Sequence, residues 1–172
     1  ITLQLKNCFD LLNKDIQNEE LLNEVEFPLI KVLSKMETEG FNLDSKFLGQ
    51  METDLNKGIK ELEKIIFENA GESFNLSSPK QLGVVLFEKL KLVEKPKKTK
   101  TGQYSTSEEV LSFLAKKHKI INDILNWRSL NKLQTTYVKA LPEEINPKTK
   151  RIHTVFNQAV ASTGRLTSNK PN

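Results

Sequence analysis

Apolar side chains recur at helical spacing along most of the chain, and this pattern predicts a mainly α fold built from long antiparallel helices. The longest regular stretch runs from about residue 44 to residue 70, and its apolar positions are Phe47, Leu48, Met51, Leu55, Ile59, Leu62 and Ile66. Asp44 is placed to cap the start of this helix, and Gly71 to end it. Because charged residues occupy its other face, we expect one side of the helix to pack on a neighbour and the other to face water.

Capping residues and prolines predict where the remaining helices begin and end. Residues 1–23 favour one or two short helices, and the next helix ends at Gly40. Ser78 precedes a proline in the first turn, with Gln81 placed to complete a capping box. Thr106 begins a second capping box and a helix to about residue 117, and a last long helix runs from about residue 120 to 140.

Two segments depart from the helical pattern. Six lysines, a proline and a glycine between residues 89 and 102 indicate a mobile basic loop. After Pro147, residues 151–159 alternate and are rich in β-forming types, which predicts one strand or a small hairpin. Residues 162–172 contain little apolar material, and we expect a loop there without regular structure of its own.

Charge divides the chain into an acidic first half and a basic second half. Residues 1–75 contain 8 Lys and Arg against 15 Asp and Glu, whereas residues 76–172 contain 18 against 7. A basic region of this kind suits a polyanion such as nucleic acid, although lysine-rich surfaces also serve only to keep proteins soluble. No apolar stretch is long enough to span a bilayer, so no membrane partner is expected. The one cysteine, Cys8, excludes an internal disulfide.

Ordered motifs over nearly the whole chain resemble those of bacterial family A DNA polymerases. The matching segments, in chain order, are Glu26–Leu29, Met36–Glu37, Gly40, Phe74–Leu82, Leu86–Phe87, Tyr104–Thr106, Arg128–Leu133, Thr136–Tyr137, Leu141–Pro142, Arg151–Gln158 and Thr163–Asn172. Because so many segments agree in order and spacing, chance does not explain the resemblance.

The resemblance implies three parts within this sequence. Residues 1–20 correspond to the end of a 3′–5′ exonuclease-like domain, residues 21–147 to a thumb domain, and residues 148–172 to a truncated start of the palm domain. The parent protein is then a DNA-directed DNA polymerase, a nucleotidyltransferase of replication and repair in the bacterial cytoplasm at the nucleoid.

The resemblance also places the catalytic carboxylates outside this sequence. In the parent, palm aspartates bind Mg²⁺, and the dNTP binds only to the full polymerase. The aspartates present here are scattered over predicted helices without the spacing of a metal-binding pair; they are Asp10, Asp15, Asp44, Asp54 and Asp123. We therefore expect no catalytic residue, metal site or cofactor in this chain, and no polymerase activity from it alone.

The partner implied by the resemblance is primer–template duplex DNA, bound without sequence specificity. Phosphates are the same in every sequence, and the minor groove presents acceptors shared by all base pairs, so a polymerase grips these rather than major-groove edges. The implied DNA-binding residues are Asn75, Ser78, Lys80, Ser105, Thr106, Arg128, Lys132, Arg165 and Asn172. Arg165 is expected in the minor groove near the primer terminus, and Asn172 near the templating pair.

Other interpretations stay open on the sequence alone. Capping serines and threonines occur in most helical proteins, and Arg128 and Lys132, four residues apart, also suit an ordinary solvated face. A non-enzymatic helical module that binds DNA or a protein partner shares the charge asymmetry. Among single residues, we expect a hydrogen-bonded structural role for His153, a half-buried Cys8, and core positions for Trp127 and Tyr137.

Overall fold

The structure, a computed structural model, describes residues 1–16 and 19–171. Its helices are α1 (Thr2–Ile16), α2 (Glu19–Leu21), α3 (Phe27–Glu39), α4 (Ser45–Ala70), α5 (Pro79–Val84), α6 (Glu108–Ala115), α7 (Lys119–Leu133) and α8 (Ala140–Glu143). Turns of π-helix follow α2, α5 and α7 at Leu22–Glu26, Val85–Lys89 and Gln134–Lys139. The mainly α prediction is confirmed. Within the described ranges, no helix combines the length and apolar character needed to cross a bilayer.

The β structure consists of two short strands near the C-terminus. Strand β1 (Val155–Asn157) pairs antiparallel with β2 (Thr167–Asn169), and Phe156 lies opposite Ser168. The predicted β element is thereby confirmed, but the prediction of a loop without regular structure over residues 162–172 is wrong at β2. The paired residues lie 10 to 14 positions apart, so the polarity of residues 162–172 alone does not indicate the strand.

The chain divides into two compact units. One comprises residues 44–140, and the other comprises residues 1–43 together with residues 141–172. The first unit lies inside the predicted thumb, whereas residues 21–43 and 141–147, also assigned to the thumb, cluster with the chain ends. Compactness does not by itself define a functional domain, and the three-part domain assignment stays a prediction.

Helix α4 follows the sequence pattern closely. The Asp44 carboxylate accepts hydrogen bonds from the backbone N–H groups of Lys46 and Phe47, at 3.1 and 3.0 Å, and so satisfies two donors that the first helical turn leaves open. Gly71 ends the helix with φ 75°, in the left-handed region that glycine adopts without a Cβ penalty. The predicted cap and stop are both confirmed.

The unit of residues 44–140 has a continuous apolar core. Six of its side chains have essentially no exposed surface: Ile66, Leu82, Leu86, Leu111, Ile121 and Ile124. They come from α4, α5 and its π-helical turn, α6 and α7, so each of these elements contributes to one core. Burying a side chain of this size contributes about 1.5 to 3 kcal/mol, which makes this core the main source of the unit's stability.

The other unit is held by a thinner core and by polar contacts around its β element. Phe41 and Ile152 exchange backbone hydrogen bonds at 3.0 Å in both directions, and Ile152 is fully buried. His153 lies between the Glu37 carbonyl at 2.8 Å and the Thr149 hydroxyl at 2.7 Å. The predicted hydrogen-bonded structural role for this histidine is confirmed.

Other single-residue predictions have mixed outcomes. Trp127 is buried as expected, but Tyr137 is 42% exposed and Cys8 is exposed, so both of the latter predictions are wrong. Tyr137 lies in the π-helical turn after α7, where one extra residue per turn rotates the side chains away from the face that regular spacing predicts. Val138 takes the buried position instead.

Candidate nucleic-acid interface

A groove of about 610 Å³ runs along the unit of residues 44–140. Its lining residues are Leu76, Ser77, Pro79, Thr99, Gln103, Tyr104, Ser105, Thr106, Ser107, Trp127, Arg128, Asn131, Lys132 and Thr135. This lining contains two cationic side chains and, among the described residues, no carboxylate. Hydroxyl, amide and cationic donors in this combination suit an anion such as phosphate.

One wall of the groove is a single face of α7 and the π-helical turn that follows it. Arg128, Asn131, Lys132 and Thr135 stand at positions i, i+3, i+4 and i+7, so they form one stripe along the helix surface. The predicted pairing of Arg128 with Lys132 on one face is confirmed. Asn131 and Thr135 were missed by the sequence analysis, and the same spacing rule identifies them.

A second wall of the groove is the turn that leads into α6, residues 104–107. Thr106 is only 6% exposed, whereas its neighbours Ser105 and Ser107 are more accessible. The predicted cap at Thr106 is wrong, because Ser107 is the residue whose hydroxyl accepts from the Val110 backbone N–H. Serine and threonine are both able to cap a helix, and here Thr106 is buried with its hydroxyl bonded to Arg128 instead.

Arg128 connects the two walls. Its Nη1 donates to the Thr106 carbonyl at 2.6 Å, and its Nη2 donates to the Thr106 hydroxyl at 3.3 Å. Burial lowers the pKa of Arg128 below its usual value, while the charge of Glu108 opposes that shift. The guanidinium is thus partly withdrawn from water and its two terminal nitrogens already have acceptors within the protein.

Helix α7 and the π-helical turn that follows it are each bonded to α4 by a polar contact. The Trp127 indole donates to the Glu63 carboxylate at 3.1 Å. The Gln134 amide donates to the Asn56 side chain at 2.7 Å, and Gln134 itself is buried. Because buried polar groups are costly when unpaired, these contacts favour one placement of α7 and therefore of its groove face.

A third segment, residues 75–79, reaches the groove through Leu76, Ser77 and Pro79. Ser78 caps α5 by accepting from the Gln81 N–H at 3.4 Å, as predicted. The reciprocal half of the predicted capping box is wrong, because the Gln81 side chain accepts from the Asn75 N–H at 2.8 Å instead. Asn75 in turn accepts from the Ser77 N–H at 2.9 Å, so these polar groups order the turn before α5.

Beside the groove, the basic segment folds back on itself. The Thr99 N–H donates to the Gln103 carbonyl at 2.7 Å, and the Ser105 N–H donates to the Lys97 carbonyl at 2.9 Å. The Lys98 ammonium lies 5.1 Å from the Tyr104 ring centre, an attractive arrangement for a cation and an aromatic face. Burial and the neighbouring Glu88 raise the pKa of Tyr104. Thr99 and Gln103, which line the groove, were not identified from the sequence.

The groove brings together four of the nine residues predicted to bind DNA: Ser105, Thr106, Arg128 and Lys132. Asn75, Ser78 and Lys80 lie in the adjoining turn and the first turn of α5, and Lys80 is exposed. Arg165 belongs to the other compact unit, where it is exposed just before β2. Asn172 lies outside the described residues. DNA binding by all nine residues stays a prediction.

The described parts of the chain contain no cluster of three or more His, Cys, Asp or Glu side chains able to hold a metal ion. One buried side-chain oxygen of Asp123 has no hydrogen-bond partner. A lone carboxylate oxygen does not supply the ligand set that a hard divalent cation needs, so the residues present do not fit a catalytic metal.

Comparisons with known proteins give one consistent result. Residues 45–172 match the profile of DNA polymerase family A. The chain is 52% identical over 155 residues to DNA polymerase I of Synechocystis, covering 90% of this chain and 16% of that protein. It is 46% identical over 173 residues to DNA polymerase I of Bacillus subtilis, covering 99% of this chain and 19% of that protein.

A solved structure agrees with the sequence relatives. The POL domain of Pol1 from M. smegmatis, described as a complex with DNA primer-template and dNTP, superposes with a TM-score of 0.83 at 36% identity. The match covers 99% of this chain and 30% of that one. The chain thus spans about a fifth or less of the curated relatives' length. Fold, motif order and sequence identity together show that the chain belongs to DNA polymerase family A.

Proposed function

We propose that this chain is the duplex-gripping part of a DNA-directed DNA polymerase that acts in bacterial replication and repair. Residues 21–147 serve as the thumb and residues 148–172 as the start of the palm. The observation that carries the proposal is the groove of the 44–140 unit, whose lining combines Arg128 and Lys132 with the hydroxyl residues of the 104–107 turn and contains no carboxylate among the described residues.

The chemistry of the groove favours the DNA backbone over the base edges. Lys132 supplies an exposed ammonium, and Ser105 and Ser107 supply hydroxyl donors, all of which suit phosphate oxygens in any sequence. We assign the same role to Asn75, Ser78 and Lys80 in the adjoining turn. Arg165 is assigned to the minor groove, where all base pairs share acceptors. The proposed ligand is therefore primer–template duplex, bound without sequence specificity.

The chemical step is assigned to parts of the polypeptide outside this sequence. Phosphoryl transfer by two metal ions requires closely placed carboxylates, and the described residues do not provide them. We propose Mg²⁺ as the metal and dNTP as the second substrate of the complete polymerase. This chain contributes by holding the product duplex in place.

Binding of a labelled primer–template duplex over a series of salt concentrations tests the proposal. Each phosphate that a lysine or arginine neutralises steepens the fall of log affinity against log salt by about 0.9. We expect affinity to fall steeply with salt and to be alike for duplexes of unrelated sequence. Affinity that does not change with salt, or that survives replacement of Lys80, Arg128 and Lys132 together by alanine, contradicts the proposal.

Primer extension separates gripping from catalysis. With magnesium and nucleotides, we expect the complete polypeptide to extend a primer and this chain alone to extend none. Incorporation by this chain alone contradicts the assignment of the chemical step to other parts of the protein.

A further inference from the structure

Arg128 and Thr106 were each expected to contact DNA, yet in the structure they bind each other. Both terminal nitrogens of the guanidinium donate to Thr106, one to its carbonyl and one to its hydroxyl. Thr106 is buried, and Arg128 is only partly exposed. These groups are therefore engaged before any ligand arrives.

The bond joins two elements that are far apart in sequence and that both line the groove. Arg128 stands on α7, which Trp127 fixes to α4 through Glu63. Thr106 lies between Ser105 and Ser107, whose hydroxyls are 3.4 Å apart and which line the second wall. Holding Thr106 therefore sets the position of both serine hydroxyls relative to Lys132.

We propose that Arg128 is a positioning residue, which fixes the 104–107 turn through its two hydrogen bonds to Thr106 and so sets the shape of the groove lining. The proposal rests on the duplex-binding function proposed above, and it assigns the direct contact with phosphate to Lys132. A planar guanidinium fork is suited to this role because it reaches a carbonyl and a hydroxyl of one residue at once. A lysine ammonium is a single donor atom on a flexible stem, so it does not reproduce the two fixed donor positions of the guanidinium.

Duplex affinity of the complete polypeptide, measured over a salt series, tests the role with five variants. Arg128→Ala is expected to weaken binding about ten- to hundredfold, because bonds from a charged donor are lost. The duplex affinity of Arg128→Lys is expected to lie within about threefold of that of Arg128→Ala, since a charge without the guanidinium fork does not hold the turn. Thr106→Val keeps the carbonyl and loses the hydroxyl, so a loss of about three- to tenfold is expected.

The salt slope distinguishes positioning from phosphate contact. Lys132→Ala is the matched control on the same helix face. Its plot of log affinity against log salt is expected to be less steep than that of the wild type by about 0.9. Arg128→Ala is expected to leave the slope within about 0.3 of wild type. The double variant Arg128→Ala/Thr106→Val is expected to bind like Arg128→Ala alone, because both changes remove the same contact.

Three results overturn the proposal while leaving the proposed function intact: wild-type affinity in Arg128→Lys, a slope change in Arg128→Ala equal to that of Lys132→Ala, or additive losses in the double variant. If Arg128→Ala does not fold, the affinities of Arg128→Lys and Thr106→Val relative to the wild type test the proposal. Absence of salt-dependent duplex binding by the wild-type protein instead contradicts the proposed function itself.

Discussion

The two compact units of this chain are stabilised in different ways. Residues 44–140 enclose a continuous core of fully buried aliphatic side chains drawn from four helical segments. In the other unit, Leu33 and Ile152 are the buried aliphatic residues among those described, and many apolar side chains of α1 and α3 are exposed. The groove that we propose to bind duplex DNA thus lies on the unit with the more extensive core.

The largest expected difference between the units comes from truncating an isoleucine in each. Ile124→Ala removes a fully buried side chain of α7, and we expect a loss of about 2 to 5 kcal/mol in the free energy of unfolding. Ile30→Ala removes a side chain of α3 that is 51% exposed, and a change within about 0.5 kcal/mol is expected. Urea denaturation followed by circular dichroism checks both; equal losses contradict the contrast.

A pair of glycine variants tests whether the unit with the smaller core contains a tightly packed position. Gly40 has φ 64°, and a Cβ there lies 2.6 Å from the Ile152 carbonyl oxygen. Gly71 has φ 75° but nothing within 4 Å of such a Cβ. We expect Gly71→Ala to cost about 1 to 2 kcal/mol from the backbone alone and Gly40→Ala to cost more, because contact strain adds to it. Equal unfolding free energies for the two variants exclude a tight contact at Gly40.

Polar contacts are expected to matter in the unit with the smaller core. The Glu37 carboxylate accepts from the Phe156 N–H of β1 at 2.7 Å. Glu37→Ala leaves this half-buried donor unsatisfied, at an expected cost of about 1 to 3 kcal/mol. Amide hydrogen exchange at Phe156 measures the effect. Glu24→Ala, at an exposed position of the same unit, serves as the control, and faster exchange at Phe156 in that variant is evidence against a specific contact.

The smallest effect concerns the cap of α4 in the well-packed unit. Asp44→Ala removes the acceptor of two backbone N–H groups, and we expect a loss of about 1 kcal/mol. Asp44→Asn retains a capping acceptor and is expected to stay within about 0.5 kcal/mol of wild type. Thermal unfolding of both variants separates the cap from the charge, and equal losses in the two contradict a capping role.

Local signals allowed much of the fold to be predicted. Asp44, the apolar stripe of α4 and Gly71 all lie in one continuous segment, so spacing and capping rules determine that helix without outside contacts. The face shared by Arg128 and Lys132 followed from the same helical spacing, which also extends to Asn131 and Thr135. These features are properties of neighbouring residues, which is why a sequence pattern is enough to find them.

Features that depend on distant contacts were not predictable in the same way. The bond from Arg128 to Thr106 joins residues 22 positions apart, and no local spacing rule indicates it. Strand β2 forms because β1 offers it backbone partners, although its own composition favours a loop. The π-helical turn at Gln134–Lys139 exposes Tyr137, whereas regular helical spacing places it in the core.

Hydrogen exchange with and without primer–template duplex tests most directly whether the groove is the DNA-binding surface. We expect duplex to slow exchange of backbone amides in the 104–107 turn and along residues 128–135, with little change at α1 and α3. Slowed exchange confined to the basic segment of residues 95–100, with none at the two groove walls, contradicts the account.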